Sequence, residues 1–146
     1  MTNINLTNHF NTFCCKENLK HIREFIKSNL SRKNINDPDQ HLIILAVDEI
    51  CSNSIIHGNK ENPNYCVNIS MKYFPGEVVI EIVDEGIVFD YSQYKEPSIE
   101  NLIYKKEKGS MGLMLVKKIM DTIEFQSING TNICRLIKRL PLLSTN

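Results

Sequence analysis

Two β-hairpin signals constrain the fold of this chain more than any other feature. Asn129-Gly130 is the strongest short turn signal in the sequence, and apolar, strand-like segments lie on both sides of it. Pro75-Gly76 lies between two further strand-like segments and gives a signal of moderate strength. Because a hairpin places its two strands antiparallel, these turns predict a largely antiparallel sheet.

Three other segments have the periodicity of helices. Helices are predicted from Lys16 to about Arg32, from about Asp39 to His57, and from Gly112 to Met120. The predicted strands are residues 4–15, 65–74, 77–83, 123–127 and 131–140. This order predicts an α+β fold, a two-layer α/β sandwich with the helices on one face of a mostly antiparallel sheet. A length of 146 residues predicts a single domain over 1–146.

The composition argues against nucleic acid and membranes as partners. The 17 Lys+Arg balance 17 Asp+Glu, and the sequence pI is about 6.9, so we expect no direct nucleic-acid binding. The longest apolar run, Leu42 to Val47, is too short to span a bilayer, and the N-terminus lacks a secretory pattern. Five cysteines without a CxxC pair favour free thiols in a reducing compartment. We therefore expect a cytoplasmic protein.

A polar row follows one face of the second predicted helix. Glu49, Asn53 and His57 are spaced i, i+4 and i+8, which places them on the same side of the helix. Apolar residues border the row. From the residues alone, it is either a solvated or hydrogen-bonded helix face or the lining of a cavity.

Two glycine-containing segments could approach a ligand. In VDEGIVFD, Asp84 directly follows an apolar strand and Gly86 comes two residues later; this pattern suits a carboxylate aimed at a ligand, and it also suits an ordinary turn. In KGSMGL, Gly109 and Gly112 precede a helix beside several lysines. Such a helix start binds phosphate well, although a flexible loop with solvated lysines explains it equally.

Taken together, these segments resemble the three motifs of one known ATP-binding site. AVDEICSNSIIHGN, VDEGIVFD and KGSMGLMLVKKIMD are similar to the boxes of the Bergerat, or histidine-kinase-like, ATPase superfamily. Within it, the chain resembles the small anti-sigma-factor serine kinases of the RsbW and SpoIIAB type. The resemblance extends from about residue 8 to about residue 140, and the segment at about 90–110 resembles the lid over the nucleotide.

The resemblance implies a role for individual residues. Glu49 is implied to be the catalytic general base, and Asn53 to ligate Mg²⁺. Asp84 is implied to accept a hydrogen bond from the adenine amino group, with Gly86 allowing close approach and Thr131 helping through its hydroxyl. The residues implied at the phosphates are Lys108, Gly109, Ser110, Met111, Gly112 and Leu113.

Some positions depart from the family pattern. Val88 replaces a glycine that many relatives have, and Ser110 also stands where many have glycine. Lys108 stands where arginine is frequent, so the charge is kept without the two-pronged guanidinium contact. We expect His57 to be structural. None of these departures removes Glu49 or Asn53.

The resemblance implies an ATP- and Mg²⁺-dependent protein serine/threonine kinase that acts as an anti-sigma factor. Its implied substrate is a serine of an anti-anti-sigma partner with a STAS domain, its other partner a sigma factor, and its assembly a homodimer. The alternative is a non-catalytic module that is gated by ATP and ADP, sequesters a protein partner and makes no use of Glu49. A two-component histidine kinase or a gyrase-type ATPase is less expected, because no phospho-acceptor or transducer domain is visible in the sequence.

Overall fold

The computed structural model describes residues 8–58, 61–85 and 110–141, which form an antiparallel sheet with helices packed on it. The five strands are β1 (Asn8–Phe13), β2 (Cys66–Phe74), β3 (Glu77–Glu85), β4 (Thr122–Ile128) and β5 (Thr131–Arg139), and their order in the sheet is β1-β2-β3-β5-β4. The helices are α1 (Leu19–Arg32), α2 (Asp37–Ser52) and α3 (Ser110–Ile119), with a 3₁₀ turn at Lys16–Asn18 and a π-helical turn at Asn53–Gly58. The predicted α+β sandwich is confirmed. Predictions that involve Gly86, Lys108, Gly109 and nearly all of the lid at 90–110 lie outside the described residues.

Both predicted hairpins are present. Asn129 and Gly130 have positive φ angles of 52° and 80°, the conformation that a two-residue turn between twisted strands favours. Gly76, with a φ angle of 80°, closes the β2–β3 hairpin. The Gly76 turn sets the register of β2 with β3, and the Asn129-Gly130 turn sets the register of β4 with β5. The pairing of β3 with β5 joins the two hairpins and decides which side chains meet at the end of β3.

The bounds of two helices differ from the prediction. Helix α2 begins at Asp37 because the Asn36 side chain accepts a hydrogen bond from the Asp39 backbone N–H, at 2.8 Å. The α-helix ends at Ser52, and the rest of the predicted helix is the wider π-helical turn, a feature that often occurs at functional sites. Within the described residues helix α3 spans Ser110–Ile119, so Ser110 and Met111, which lie outside the predicted helix, are helical.

The core lies between the helices and one face of the sheet. Every second residue of β2 and β3 is buried on that face, including Val67, Ile69, Ile80 and Ile82. These side chains belong to one apolar cluster with buried residues of all three helices. Asp84 continues the buried series of β3, so its side chain faces the helices. Among the described residues, no helix is long and apolar enough to cross a membrane.

Candidate functional site

Asp84 is held from two sides at the end of β3. The Ser54 Oγ donates a hydrogen bond to its Oδ2 at 2.5 Å, and the Asn132 Nδ2 donates one to its Oδ1 at 2.9 Å. Each carboxylate oxygen can accept a second hydrogen bond. The carboxylate is therefore fixed in orientation and retains the capacity to accept a hydrogen bond from an amino group of a ligand.

The two residues that hold Asp84 were not predicted from the sequence. Ser54 lies in the π-helical turn directly after Asn53, and Asn132 is the β5 residue paired with Asp84. The Asn129-Gly130 turn fixes only the pairing of Asn132 with Ser127 of β4, so no local sequence signal places Asn132 opposite Asp84. The family resemblance implies that Thr131, and not Asn132, supports the adenine contact of Asp84. Thr131 pairs with Glu85. Because neighbouring residues of a strand point to opposite faces, Thr131 faces away from Asp84, and its role stays a prediction.

The negative charge of Asp84 acts on three buried thiols, those of Cys14, Cys51 and Cys134. Burial raises the pKa of Cys14 to about 11, and the negative charge of Asp84 adds to this effect. Burial and then the same charge raise the pKa of Cys134, while burial is again the largest cause of the raised pKa of Cys51. All three cysteines are free, as predicted. Their raised pKa values keep these thiols protonated near neutral pH, so they add no negative charge near Asp84.

Glu49 of helix α2 lies against Gly112 near the start of α3, and this contact brings the two helices together. A β-carbon at position 112 would lie 2.0 Å from the Glu49 Oε2 and 2.8 Å from its Cδ, so any other residue there would displace the carboxylate from this position. The predicted base thus contacts the backbone of the predicted phosphate loop. Of the other loop residues, Ser110 and Met111 form the first turn of α3, where an anion is favoured, and Leu113 is buried in the core.

The environment of Glu49 favours its protonated form. Partial burial raises the pKa of this carboxyl, and the adjacent negative charge of Asp48 raises it further. Asp48 in turn accepts a hydrogen bond from the Arg23 Nη1 of α1 at 2.8 Å, which forms an ion pair. A carboxylate whose pKa is raised toward the working pH is well suited to accept a proton from a hydroxyl group.

Asn53 has a buried amide side chain and lies in the sequence between Glu49 and Ser54, the residue that holds Asp84. Its side chain is 3% exposed, and its Nδ2 has no hydrogen-bond partner within the described residues. A buried polar group left unpaired costs about 1–3 kcal/mol, so this amide is suited to a ligand that supplies the partner. Its Oδ1 is the hard oxygen donor that Mg²⁺ prefers, and phosphate oxygens could accept from the Nδ2. The Nδ2, unpaired among the described residues, suits a phosphate oxygen, and the Oδ1 is compatible with the predicted metal as a single protein ligand.

The fold, together with the sites at Asp84 and at Glu49, defines a class of protein that the comparison with known families identifies. The histidine kinase-like ATPase domain family matches residues 15–138. Since the match covers most of the sequence, the chain belongs to this family. Membership of this ATPase family implies that the chain binds ATP.

Several curated proteins are similar to this chain. Serine-protein kinase RsbW of Bacillus subtilis is 28% identical over 93 residues, which cover 61% of this chain and 58% of RsbW. Anti-sigma F factor of Heyndrickxia coagulans is 37% identical over 101 residues, covering 66% of this chain and 67% of that protein. RsbW of Staphylococcus aureus strain Newman is 32% identical over 95 residues, covering 61% and 59%. The chain thus spans about three fifths of the length of these RsbW relatives.

Two solved structures share the fold. The structure of the RsbU and RsbW domains of a Mycobacterium tuberculosis protein matches with a TM-score of 0.65 and 14% identity, over 92% of this chain and 32% of that one. The Acinetobacter baumannii histidine kinase AdeS matches with a TM-score of 0.50 and 13% identity, over 92% and 68%. At such low identity the likeness concerns the fold alone, and it confirms the predicted histidine-kinase-like ATPase fold.

Proposed function

We propose that this chain is an ATP- and Mg²⁺-dependent protein serine/threonine kinase that acts as an anti-sigma factor. The observation that carries the proposal is the contact between the Glu49 carboxylate and Gly112. It puts a proton acceptor with a raised pKa beside the segment proposed to wrap the β- and γ-phosphates. The names of the RsbW and anti-sigma F relatives support this activity.

The nucleotide is proposed to extend from Asp84 to Gly112. Asp84, fixed by Ser54 and Asn132, accepts a hydrogen bond from the adenine amino group. The phosphates lie at the start of α3, where unpaired backbone N–H groups and the helix dipole favour anions. Asn53 ligates Mg²⁺, which when bound offsets the charge of the phosphates.

Glu49 acts as the general base in the transfer. It accepts the proton of a serine hydroxyl while the serine oxygen forms a bond to the γ-phosphorus. The bond from that phosphorus to the β–γ bridging oxygen breaks, and ADP leaves with the electron pair. Phosphoryl transfer depends on positioning and charge stabilisation more than on covalent chemistry by the protein, so one base suffices.

The proposed partners are proteins. We infer that the acceptor serine belongs to an anti-anti-sigma protein with a STAS domain, and that a sigma factor is bound in the other partner state. The chain is proposed to work in the cytoplasm as a homodimer and as a single domain over 1–146. The printed names of the relatives support partner switching of this kind.

The test is phosphotransfer from radiolabelled ATP with Mg²⁺ to a STAS-domain protein from the same genome. We expect phosphoserine on that protein with the wild-type chain. With Glu49→Gln we expect at least a hundredfold slower transfer but nucleotide affinity within about twofold of wild type. Nucleotide binding without any phosphoprotein would instead support the non-catalytic, nucleotide-gated module. Normal transfer by Glu49→Gln would remove Glu49 from the role of base.

A further inference from the structure

Two leucines are exposed on helix α2 beside Glu49. Leu42 is 40% exposed and Leu45 is 41% exposed, whereas the other aliphatic side chains of α2 are buried or partly buried in the core. At 100° and about 1.5 Å per residue, Leu42, Leu45 and Glu49 lie within about 60° of one another around the helix. Along the axis, Leu45 precedes Glu49 by about 6 Å and Leu42 by about 10 Å. The two leucines therefore form an apolar surface that leads to the proposed base.

This surface is on the outer side of the helical layer. Helix α2 packs against both α1 and α3, and its inner face contributes buried residues to the core over the sheet. Arg23 of α1 reaches Asp48 on one flank, and Gly112 of α3 lies against Glu49 on the other. The neighbouring His41 is exposed as well. Apolar side chains at the centre with polar groups around them match the usual anatomy of a protein interface.

The size of a protein substrate connects the leucines to the reaction. A stable protein interface covers about 800 Å² on each partner, which corresponds to a disc with a radius of roughly 16 Å. If a protein substrate approaches along α2 and places its serine hydroxyl at Glu49, an interface of this size covers both Leu42 and Leu45. Resting on the kinase function proposed above, we propose that Leu42 and Leu45 are the docking surface for the protein substrate. The complementary surface is an apolar patch next to the acceptor serine.

The test is the double variant Leu42→Ser/Leu45→Ser, assayed on a STAS-domain protein from the same genome that the wild-type chain phosphorylates. We expect KM for that protein to rise about tenfold or more, since two interface anchors are lost. We expect kcat at saturating substrate and the affinity for a fluorescent ATP analogue to stay within about twofold of wild type. The matched control is Phe74→Ser. Phe74 is 48% exposed at the end of β2 remote from Asp84, and this change should leave KM unaltered.

Two results would overturn the docking surface. The first is an unchanged KM in the double variant; if self-association is lost at the same time, the leucines are assigned to contact with a second copy of the chain. The second is an equal rise in KM with Phe74→Ser.

A binding measurement separates this proposal from the kinase function. Calorimetry with the Glu49→Gln chain and the same STAS-domain protein reports docking without transfer. If wild type transfers no phosphate but Leu42→Ser/Leu45→Ser weakens this binding about tenfold, the docking surface stands and the kinase function falls. If wild type phosphorylates the protein and the leucine changes alter neither binding nor KM, the kinase function stands and the docking surface falls. Absence of both phosphate transfer and binding overturns both.

Discussion

The Glu49 carboxylate rests directly on the backbone of Gly112. Glu49 is the predicted base on α2, and Gly112 belongs to the segment of α3 that is predicted to contact phosphate. The two residues meet with no side chain between them. The missing β-carbon at position 112 thus serves the site in two ways. It leaves room for the carboxylate, and it leaves the backbone of α3 open to an anion.

We expect Gly112→Ala to displace the Glu49 carboxylate. The new methyl group would overlap Oε2, and a displacement of about 1 Å at a reacting group can slow transfer about a hundredfold. Because the overlapped atoms end a flexible side chain, the cost in stability should be below the roughly 1–3 kcal/mol typical of overpacking in a core, and thermal unfolding measures it. The control is a double-mutant cycle with Glu49→Ala, which removes the overlapping atoms. The stability lost by Gly112→Ala should largely return in the double variant, and strictly additive losses would show that the contact is not responsible.

After burial, the charge of Asp48 is the second cause of the raised pKa of Glu49, so the pair Arg23–Asp48 should tune the pH dependence of the proposed transfer. Because the charge of Asp48 raises the pKa of Glu49, Asp48→Asn should lower that pKa and move the acidic limb of the pH–rate profile to lower pH. Arg23→Gln removes the cation that accompanies Asp48 and should move the limb in the opposite direction. Shifts of the same sign in both variants, measured as kcat against pH, would contradict this electrostatic account.

Glu49 should also reduce stability at neutral pH. Its pKa is higher in the folded chain than its ordinary value of 4.5, so the folded state holds this proton longer than the unfolded chain does. The free energy of unfolding therefore falls as pH rises through the interval between the two pKa values. We expect Glu49→Gln, which does not titrate, to melt above wild type at pH 7, by roughly 4 °C for each kcal/mol relieved. The difference should disappear below pH 4.5, and a constant difference across pH would reject the titration of Glu49 as its cause.

Asn132 should matter more than Thr131 to nucleotide affinity. Asn132→Ala removes the donor that fixes the Asp84 Oδ1, so the carboxylate loses part of its orientation toward the proposed adenine, and Kd for ATP should rise about tenfold. Thr131→Val changes a side chain on the opposite face and should alter Kd less than threefold. Calorimetric titration of both variants decides between them. A larger loss with Thr131→Val would restore the hydroxyl role that the family resemblance implies.

Local signals predicted the elements of this fold well, because each depends on neighbouring residues. The hairpin at Asn129-Gly130, the periodicity of α1 and the carboxylate that ends β3 are all readable within a few residues. The bonds from Ser54 and Asn132 to Asp84 were not predicted, because they join segments 30 and 48 residues apart. The π-helical turn was also missed, since it alters the helical period too little to change the pattern of apolar residues.

The π-helical turn has a consequence for how the site can evolve. A single stretch of backbone, from Glu49 to Ser54, reaches both ends of the proposed nucleotide site. Glu49 is the proposed proton acceptor at the phosphate end, and Ser54 orients the Asp84 carboxylate at the adenine end. The number of residues in this stretch sets the distance and the angle between the two groups. One inserted residue would turn everything beyond it by about 100°, so the two ends could not be adjusted separately. Changes in length should therefore be tolerated in the connecting loops and excluded between these two positions.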